Sequence, residues 1–291
     1  MSIKHPIIAI TGSSGAGTTT VTSTFQNVFR REGLKVAVVE GDAFHRFNRL
    51  EMQARMAQAQ KDRNMTVSHF GPEANLFEEL ETLFRTYGEN GTGRSRKYIH
   101  DESEAAAFGV EPGTFTEWAD LQPGTDALFY EGLHGAVVTE KVNIAQHADL
   151  LIGVVPIINL EWIQKLHRDK NLRGYSQEAV VDTILRRMPD YVNYICPQFS
   201  HTHVNFQRVP TVDTSNPFMA RDVPSPDESM LIIRFQNPKV IDFPYLLSML
   251  HDSFMSRANT IVCAGAKMPL AMQLIFTPMI WQLMDRKKRA L

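Results

Sequence analysis

Apolar residues along the chain alternate between short continuous runs and stretches with a three-to-four-residue beat. Ile7 to Ile10 is an apolar run that predicts a buried strand, and Val21, Phe25, Val28 and Phe29 then recur at the period of one helix face. That helix should stop near Arg30-Arg31-Glu32, with cations in its last turn and Gly33 just beyond. Val36 to Val39 predicts a second buried strand, residues 50–66 an exposed polar helix, and Leu76, Leu80, Leu83 and Phe84 a helix within 72–87. Residues 88–100 form a glycine-rich basic loop leading into a strand, and 101–126, with Pro112-Gly113 and Pro123-Gly124, should be irregular. Ala127 to Gly132 and Leu150 to Val155 predict two more strands, 159–174 and 177–194 two helices. Further strands are expected at 204–212, 230–235 and 260–264, and apolar helices at 244–254 and 270–284. Apolar runs alternating with helices predict an α/β fold, a mostly parallel sheet flanked by helices. No internal repeat or glycine-rich linker divides residues 1–291, so one domain with a C-terminal added layer is expected.

The first chemical signal sits between the first strand and the first helix. Gly12, Ser13, Ser14, Gly15, Ala16, Gly17, Thr18, Thr19 and Thr20 fit a phosphate cradle: glycines turn successive backbone N–H groups toward one anion, and the following helix adds its positive end. Thr19 stands where a Mg²⁺-binding hydroxyl belongs. Thr18 stands where such loops usually carry lysine, so a nucleotide here needs another cation. A plain strand-to-helix turn is the competing reading.

Three other stretches carry chemistry. Asp42 follows the second strand, with His45 and Arg49 close behind. In open α/β sheets ligands bind beyond the carboxyl ends of the strands, so Asp42 should share the rim of the glycine loop. A capped, charged loop would look the same. Glu131 ends an apolar strand downstream of the loop, the arrangement that positions Mg²⁺ or its waters. Lys165, Arg168, Asp169 and Arg173 lie on or at the end of one helix, with spacings that let Lys165, Arg168 and Asp169 share a face. They form either a cationic set over transferring phosphate, replacing the charge missing at Thr18, or an ordinary solvated face. The basic loop ending at His100 is equally open between substrate binding and solvation.

Composition narrows the class. At 291 residues the chain can bury a large core, and 43% hydrophobic with 21% charged residues is ordinary for a soluble globular protein. A net charge of −2 implies no broad nucleic-acid-binding surface. Only two cysteines, Cys196 and Cys263, suggest a reducing compartment. No apolar run reaches the ~18 residues of a membrane span, and the start lacks a signal-peptide core. A cytoplasmic enzyme is expected.

The stretches 12–19, 40–46, 129–135, 159–169, 205–210 and 212–218 together resemble the P-loop phosphoribulokinase/uridine kinase family, in particular its bacterial phosphoribulokinase branch, over nearly the whole chain. Threonine in place of the loop lysine is usual in that branch. The resemblance implies a mixed-sheet P-loop kinase fold similar to nucleoside monophosphate kinases. It implies phosphorylation of D-ribulose 5-phosphate to ribulose 1,5-bisphosphate, a Calvin-cycle step, with ATP and Mg²⁺. It makes Asp42 the base, Glu131 and Asp169 the cation-linked carboxylates, and Lys165 the stabiliser of the transferring group. It makes His45, Arg49, Arg168 and Arg173 sugar-phosphate contacts, and Arg31 and Arg187 positions tied to allosteric NADH activation and AMP inhibition. It also implies homo-oligomers, octamers among them. The phosphate loop carries no cysteine, which speaks against thiol switching of the site. A related kinase for another sugar phosphate or for uridine stays open, as does a non-catalytic nucleotide sensor. Against the sensor, Asp42, Glu131, Lys165 and Asp169 are all retained, and a sensor needs no base.

Overall fold

A computed structural model describes residues 4–12, 18–62, 67–155, 157–173, 176–220 and 222–290, with side chains except at 18–20, 60 and 169–173. The strands are β1 (Ile7–Gly12), β2 (Val36–Glu40), β3 (Arg94–Ser95), β4 (Ala119–Asp120), β5 (Ala127–Gly132), β6 (Leu150–Val155), β7 (Val204–Pro210), β8 (Ser229–Phe235), β9 (Phe254–Arg257) and β10 (Thr260–Ala264). The helices are α1 (Thr18–Arg31), α2 (Arg49–Lys61), α3 (Phe77–Asn90), α4 (Glu102–Phe108), α5 (Ile158–Arg173), α6 (Gln177–Asp190), α7 (Phe243–Met249) and α8 (Met268–Ala290). Eight strands form one sheet in the order β2-β5-β1-β6-β7-β8-β10-β9. The first five are mutually parallel, and β8, β10 and β9 continue the sheet antiparallel.

Alternation along the central strands sorts the core into two layers. Ile8, Ile10, Phe129, Ile152 and Val154 face α1 and α8; Ile7, Ala9, Leu128, Tyr130 and Leu151 face α3. Side chains on successive strand residues point to opposite faces, so a strand covered on both sides reads as an unbroken apolar run. That is why β1 is buried at all six positions. On the first face the rings of Phe25 and Phe129 lie 5.2 Å apart and those of Phe25 and Phe276 4.9 Å apart, joining α1, β5 and α8.

Four expectations need correction. Val36–Val39 is not fully buried: β5 sits between β2 and β1, leaving β2 at the sheet edge with Val38 48% exposed. Residues 101–126 are not wholly irregular. Asp101 accepts a hydrogen bond from Glu104 N and caps α4, and Gly109 closes that helix with φ +66°. The helix expected over 244–254 stops at Met249. Asp252 adopts φ +59°, the chain turns, and Phe254 opens the edge strand β9. The helix expected to 194 is regular only to Asp190; after Pro189, which has no N–H to donate, Tyr191–Ile195 form a wider π-helical turn.

Candidate active site

Register fixes where the strands end. Glu131 of β5 lies beside Ile10 of β1 on one side and Glu40 of β2 on the other, so three parallel strands reach one rim together. Their tips converge through two glycines. A Cβ on Gly41 would stand 2.8 Å from the Gly132 Cα, and one on Gly132 would stand 2.6 Å from the Gly41 Cα. A side chain at either position would force the tips apart. Glu131 is half-buried at this rim. Residues 13–17 lie outside the described residues, as do the side chains of Thr18, Thr19 and Thr20; β1 ends at Gly12 before them and α1 starts at Thr18 after them.

Beside the end of β1 lies a buried amide. The Thr11 hydroxyl is 2.8 Å from Gln198 Oε1, which also accepts from Ala136 N at 3.0 Å; Gln198 Nε2 donates to Leu133 O at 2.8 Å and to Tyr194 O at 2.7 Å. All four hydrogen-bonding directions of Gln198 are used. It ties the end of β1 to the turn after β5 and to the segment after α6.

Asp42 stands in a short 3₁₀ turn, Gly41–Phe44, directly after β2. Its Oδ1 is 3.1 Å from His45 Nε2 and its Oδ2 is 3.6 Å from His100 Nε2. Burial alone would raise the Asp42 pKa, but the facing His45, with His100 and His69 behind it, brings the carboxyl well below the usual carboxylate range. His45 is itself buried, which lowers its pKa, yet the Asp42 charge and the bonds to Asp42 and Asn75 leave it raised. The neighbouring His69 and His134 behave in the opposite way. Burial holds His69 well below its ordinary value and His134 down to about 3.

The turn is held from behind. Arg96 donates from Nε to Ala43 O at 2.8 Å and from Nη2 to His45 O at 2.6 Å, while its guanidinium lies 3.6 Å from the Phe115 ring centroid. Glu104 of α4 accepts from His100 N at 2.8 Å and lies 3.1 Å from Lys97 Nζ. Arg49, at the start of α2, donates to His100 O at 2.8 Å. The fold therefore brings Asp42, His45, Arg49 and His100 together. Sequence reasoning missed Arg96, Asn75, Glu104 and Gln198.

The other residues singled out in the sequence lie on α5, which follows β6. Lys165 and Arg168 are half-buried on it; the side chains of Asp169 and Arg173 lie outside the described residues. The helix is fastened to the segment 211–220: Asn159 Nδ2 donates to Thr214 O at 2.9 Å, His167 Nε2 to Ala220 O at 3.2 Å, and Trp162 stacks on Phe218 with centroids 5.4 Å apart. Arg187 of α6 lies over the Phe70 ring at 5.8 Å and acts electrostatically on His45 and His69, so it belongs to this neighbourhood. Arg31 does not. It ends α1, about 20 Å of helix from the loop, and donates to Thr277 Oγ1 at 2.9 Å.

Among the described residues no group of three or more His, Cys, Asp or Glu could cage a metal. Mg²⁺ needs no such cage, since it takes one or two carboxylates and fills its sphere with phosphate oxygens and water. The Glu131 carboxylate at the rim fits that requirement. No helix among the described residues is long and apolar enough to cross a membrane.

A mostly parallel sheet flanked by helices, with the Glu131 and Asp42 carboxylates at the ends of neighbouring strands, is the architecture of a P-loop kinase. The model of the phosphoribulokinase / uridine kinase family matches residues 7–215, and the chain belongs to that family. Within it, the chain is 71% identical over 290 residues to the chromosomal phosphoribulokinase of Cupriavidus necator, covering 100% of this chain and 99% of that one. It is 69% identical to the phosphoribulokinase of Nitrobacter vulgaris, with 99% of each covered. The solved phosphoribulokinase from Rhodobacter spheroides superposes with a TM-score of 0.92 at 58% identity, covering 99% of this chain and 100% of that one.

Proposed function

We propose that the chain transfers the γ-phosphoryl group of ATP to D-ribulose 5-phosphate, giving ADP and ribulose 1,5-bisphosphate, a step of the Calvin cycle. The observation that carries this reading is similarity along the full chain, at 58–71% identity, to proteins named phosphoribulokinase. In this reading the Asp42 carboxylate takes the proton of the sugar hydroxyl as that oxygen forms its bond to the γ-phosphorus and the bond to the ADP oxygen breaks. Lys165, on α5, meets the charge developing on the transferring group, in place of the lysine absent at Thr18. Mg²⁺, when bound with ATP, supplies charge neutralisation on the phosphates, and Glu131, Thr19 and Asp169 are the residues proposed to hold it. Arg49, Arg168 and Arg173, with His100, are proposed to serve the sugar phosphate, and His45, buried with both ring nitrogens engaged, to serve it through Asp42; a dianion is what arginine pairs with, and uridine offers none. Arg31 and Arg187 are proposed to serve NADH and AMP regulation, in a cytoplasmic homo-oligomer of single-domain chains.

The test is ADP release with Mg²⁺-ATP across ribulose 5-phosphate, ribose 5-phosphate, fructose 6-phosphate and uridine. Clear preference for ribulose 5-phosphate is expected. Preference for uridine, or release with none of the four, would overturn the assignment; preference for another sugar phosphate would keep the chemistry and change the acceptor.

A further inference from the structure

Asn75 follows a 3₁₀ turn at Pro72–Ala74 and is buried, 2% exposed. Its Nδ2 donates to two backbone carbonyls, His69 O at 3.0 Å and Gly71 O at 2.6 Å. A carbonyl oxygen can only accept. Both amide protons are therefore committed, and the orientation of the Asn75 amide is settled without reference to any histidine. Its Oδ1, which can also only accept, then faces His45 Nδ1 at 2.8 Å. Nδ1 must carry a proton. The other ring nitrogen, Nε2, faces Asp42 Oδ1 at 3.1 Å. An ionised carboxylate is a third acceptor, so a neutral ring, with its one proton on Nδ1, would point a lone pair at a negative charge.

We propose that Asn75 locks His45 as a doubly protonated imidazolium and through it holds Asp42 ionised, with Oδ1 engaged and Oδ2 left to receive the proton of the acceptor hydroxyl. Asn75 is thus a positioning residue that acts through His45, and the proposal rests on the reading of Asp42 as the base. The surroundings agree with a single charged ring. His69 lies 4.6 Å away centroid to centroid, and burial lowers the pKa of both it and His134, so neither competes with His45 as the charged partner of the Asp42 carboxylate. Among the described residues, the other charged or titratable groups around the pair are His100, from the loop before α4, Arg187, from α6, Arg96, whose guanidinium donates to His45 O, Tyr98, whose ring lies 6.5 Å from that of His45, and Tyr130 near the end of β5. Arg187 opposes a charge on His45, which leaves Asp42 and Asn75 to maintain it.

The test is the protonation of His45 read from ¹⁵N spectra of the full chain labelled at histidine, assigned by the signals lost in His45→Gln. Both ring nitrogens of wild-type His45 are expected to be protonated at neutral pH, with a titration midpoint above that of free histidine. Asn75→Asp, which gives up both donors to the His69 and Gly71 carbonyls but keeps an acceptor at Nδ1 and adds a negative charge there, should keep the ring doubly protonated and raise the midpoint further. Asn75→Ala should move the midpoint down to that of free histidine or lower and place the single proton of the neutral ring on Nε2, toward Asp42. A singly protonated wild-type His45 at neutral pH overturns the proposal whether or not any variant folds. An unchanged titration in Asn75→Ala overturns it too, leaving Asn75 a brace for the 69–71 turn. Failure of the base reading looks different: full turnover in Asp42→Asn together with a doubly protonated wild-type His45 removes Asp42 from the chemistry and leaves the lock in place.

Discussion

The two regions that carry the proposed site residues are built in different ways. On the Asp42 side every element is fastened by polar contacts to something outside it: the turn carbonyls to Arg96, His45 to Asn75, and His100 to Glu104 through its N–H and to Arg49 through its carbonyl. The α5 side has a small apolar core of its own, in which the buried residues are Leu166, Val180 and Ile184, with Trp162, Val181 and Phe218 partly buried against them. Each such aliphatic side chain contributes roughly 1.5–3 kcal/mol of burial. Asp42, the proposed base, thus stands on a surface held by polar contacts from several elements. α5, which carries Lys165 and Arg168, is tied besides to the segment 211–220 through Asn159 and His167. Phosphoryl transfer needs a proton acceptor held in place and positive charge where negative charge develops.

Beyond Asp42 itself, the sharpest break in this contrast is Lys165→Met. If α5 serves the transition state, turnover should fall about 10²–10³-fold while the Michaelis constants for ATP and sugar phosphate move little. Higher Michaelis constants with unchanged turnover would make Lys165 a ground-state binding residue.

Next in size is Arg96→Ala. It removes two charge-assisted hydrogen bonds and a guanidinium–ring contact, and should cost about 2–4 kcal/mol of stability and roughly tenfold in turnover. Arg96→Lys should not restore turnover, because an ammonium cannot span the two carbonyls as a planar fork does. Denaturant unfolding and steady-state rates check this. Full activity in Arg96→Ala would show that the turn needs no support from behind.

The smallest effect on turnover accompanies a change in acid stability. His69 and His134 are held neutral in the folded state, with His134 near 3 against an ordinary 6.5, so the unfolded chain takes up their protons first as pH falls. Their contribution is complete above about pH 6.5 and drains below it, by at most about 1.4 kcal/mol per pH unit for each histidine. His45 has the opposite sign, its contribution being full below its unfolded value and lost only as pH rises through its raised folded value. The unfolding midpoint should therefore fall between pH 6.5 and 5, and fall less steeply in His134→Gln. A flat profile over that range would contradict the buried neutral histidines.

What the sequence disclosed follows from how local each feature is. The flanks of the glycine loop, Asp42 after its strand and Glu131 at the end of another are contiguous patterns of strand, turn and helix, and all were legible. The supports were not. Asn75 meets His45 across 30 residues, Arg96 meets Ala43 across 53, and Gln198 meets Thr11 across 187; nothing in a single sequence pairs them. The edge position of β2 was hidden for the same reason, since it depends on β5 arriving 87 positions after Glu40 to insert beside β1. The case of α4 is different. Asp101 followed by Glu104 is a readable N-terminal capping signal, and it was obscured by the two Pro-Gly turns that follow.

The central claim is that Asp42 is the base of a sugar-phosphate kinase, and Asp42→Asn tests it most directly. Asparagine keeps the size of the side chain and removes the proton acceptor. With saturating Mg²⁺-ATP and ribulose 5-phosphate, turnover should drop by about 10²–10⁴-fold or more, while nucleotide affinity, measured by equilibrium titration with ATP, stays near the wild-type value. Turnover within a few-fold of wild type would contradict the account.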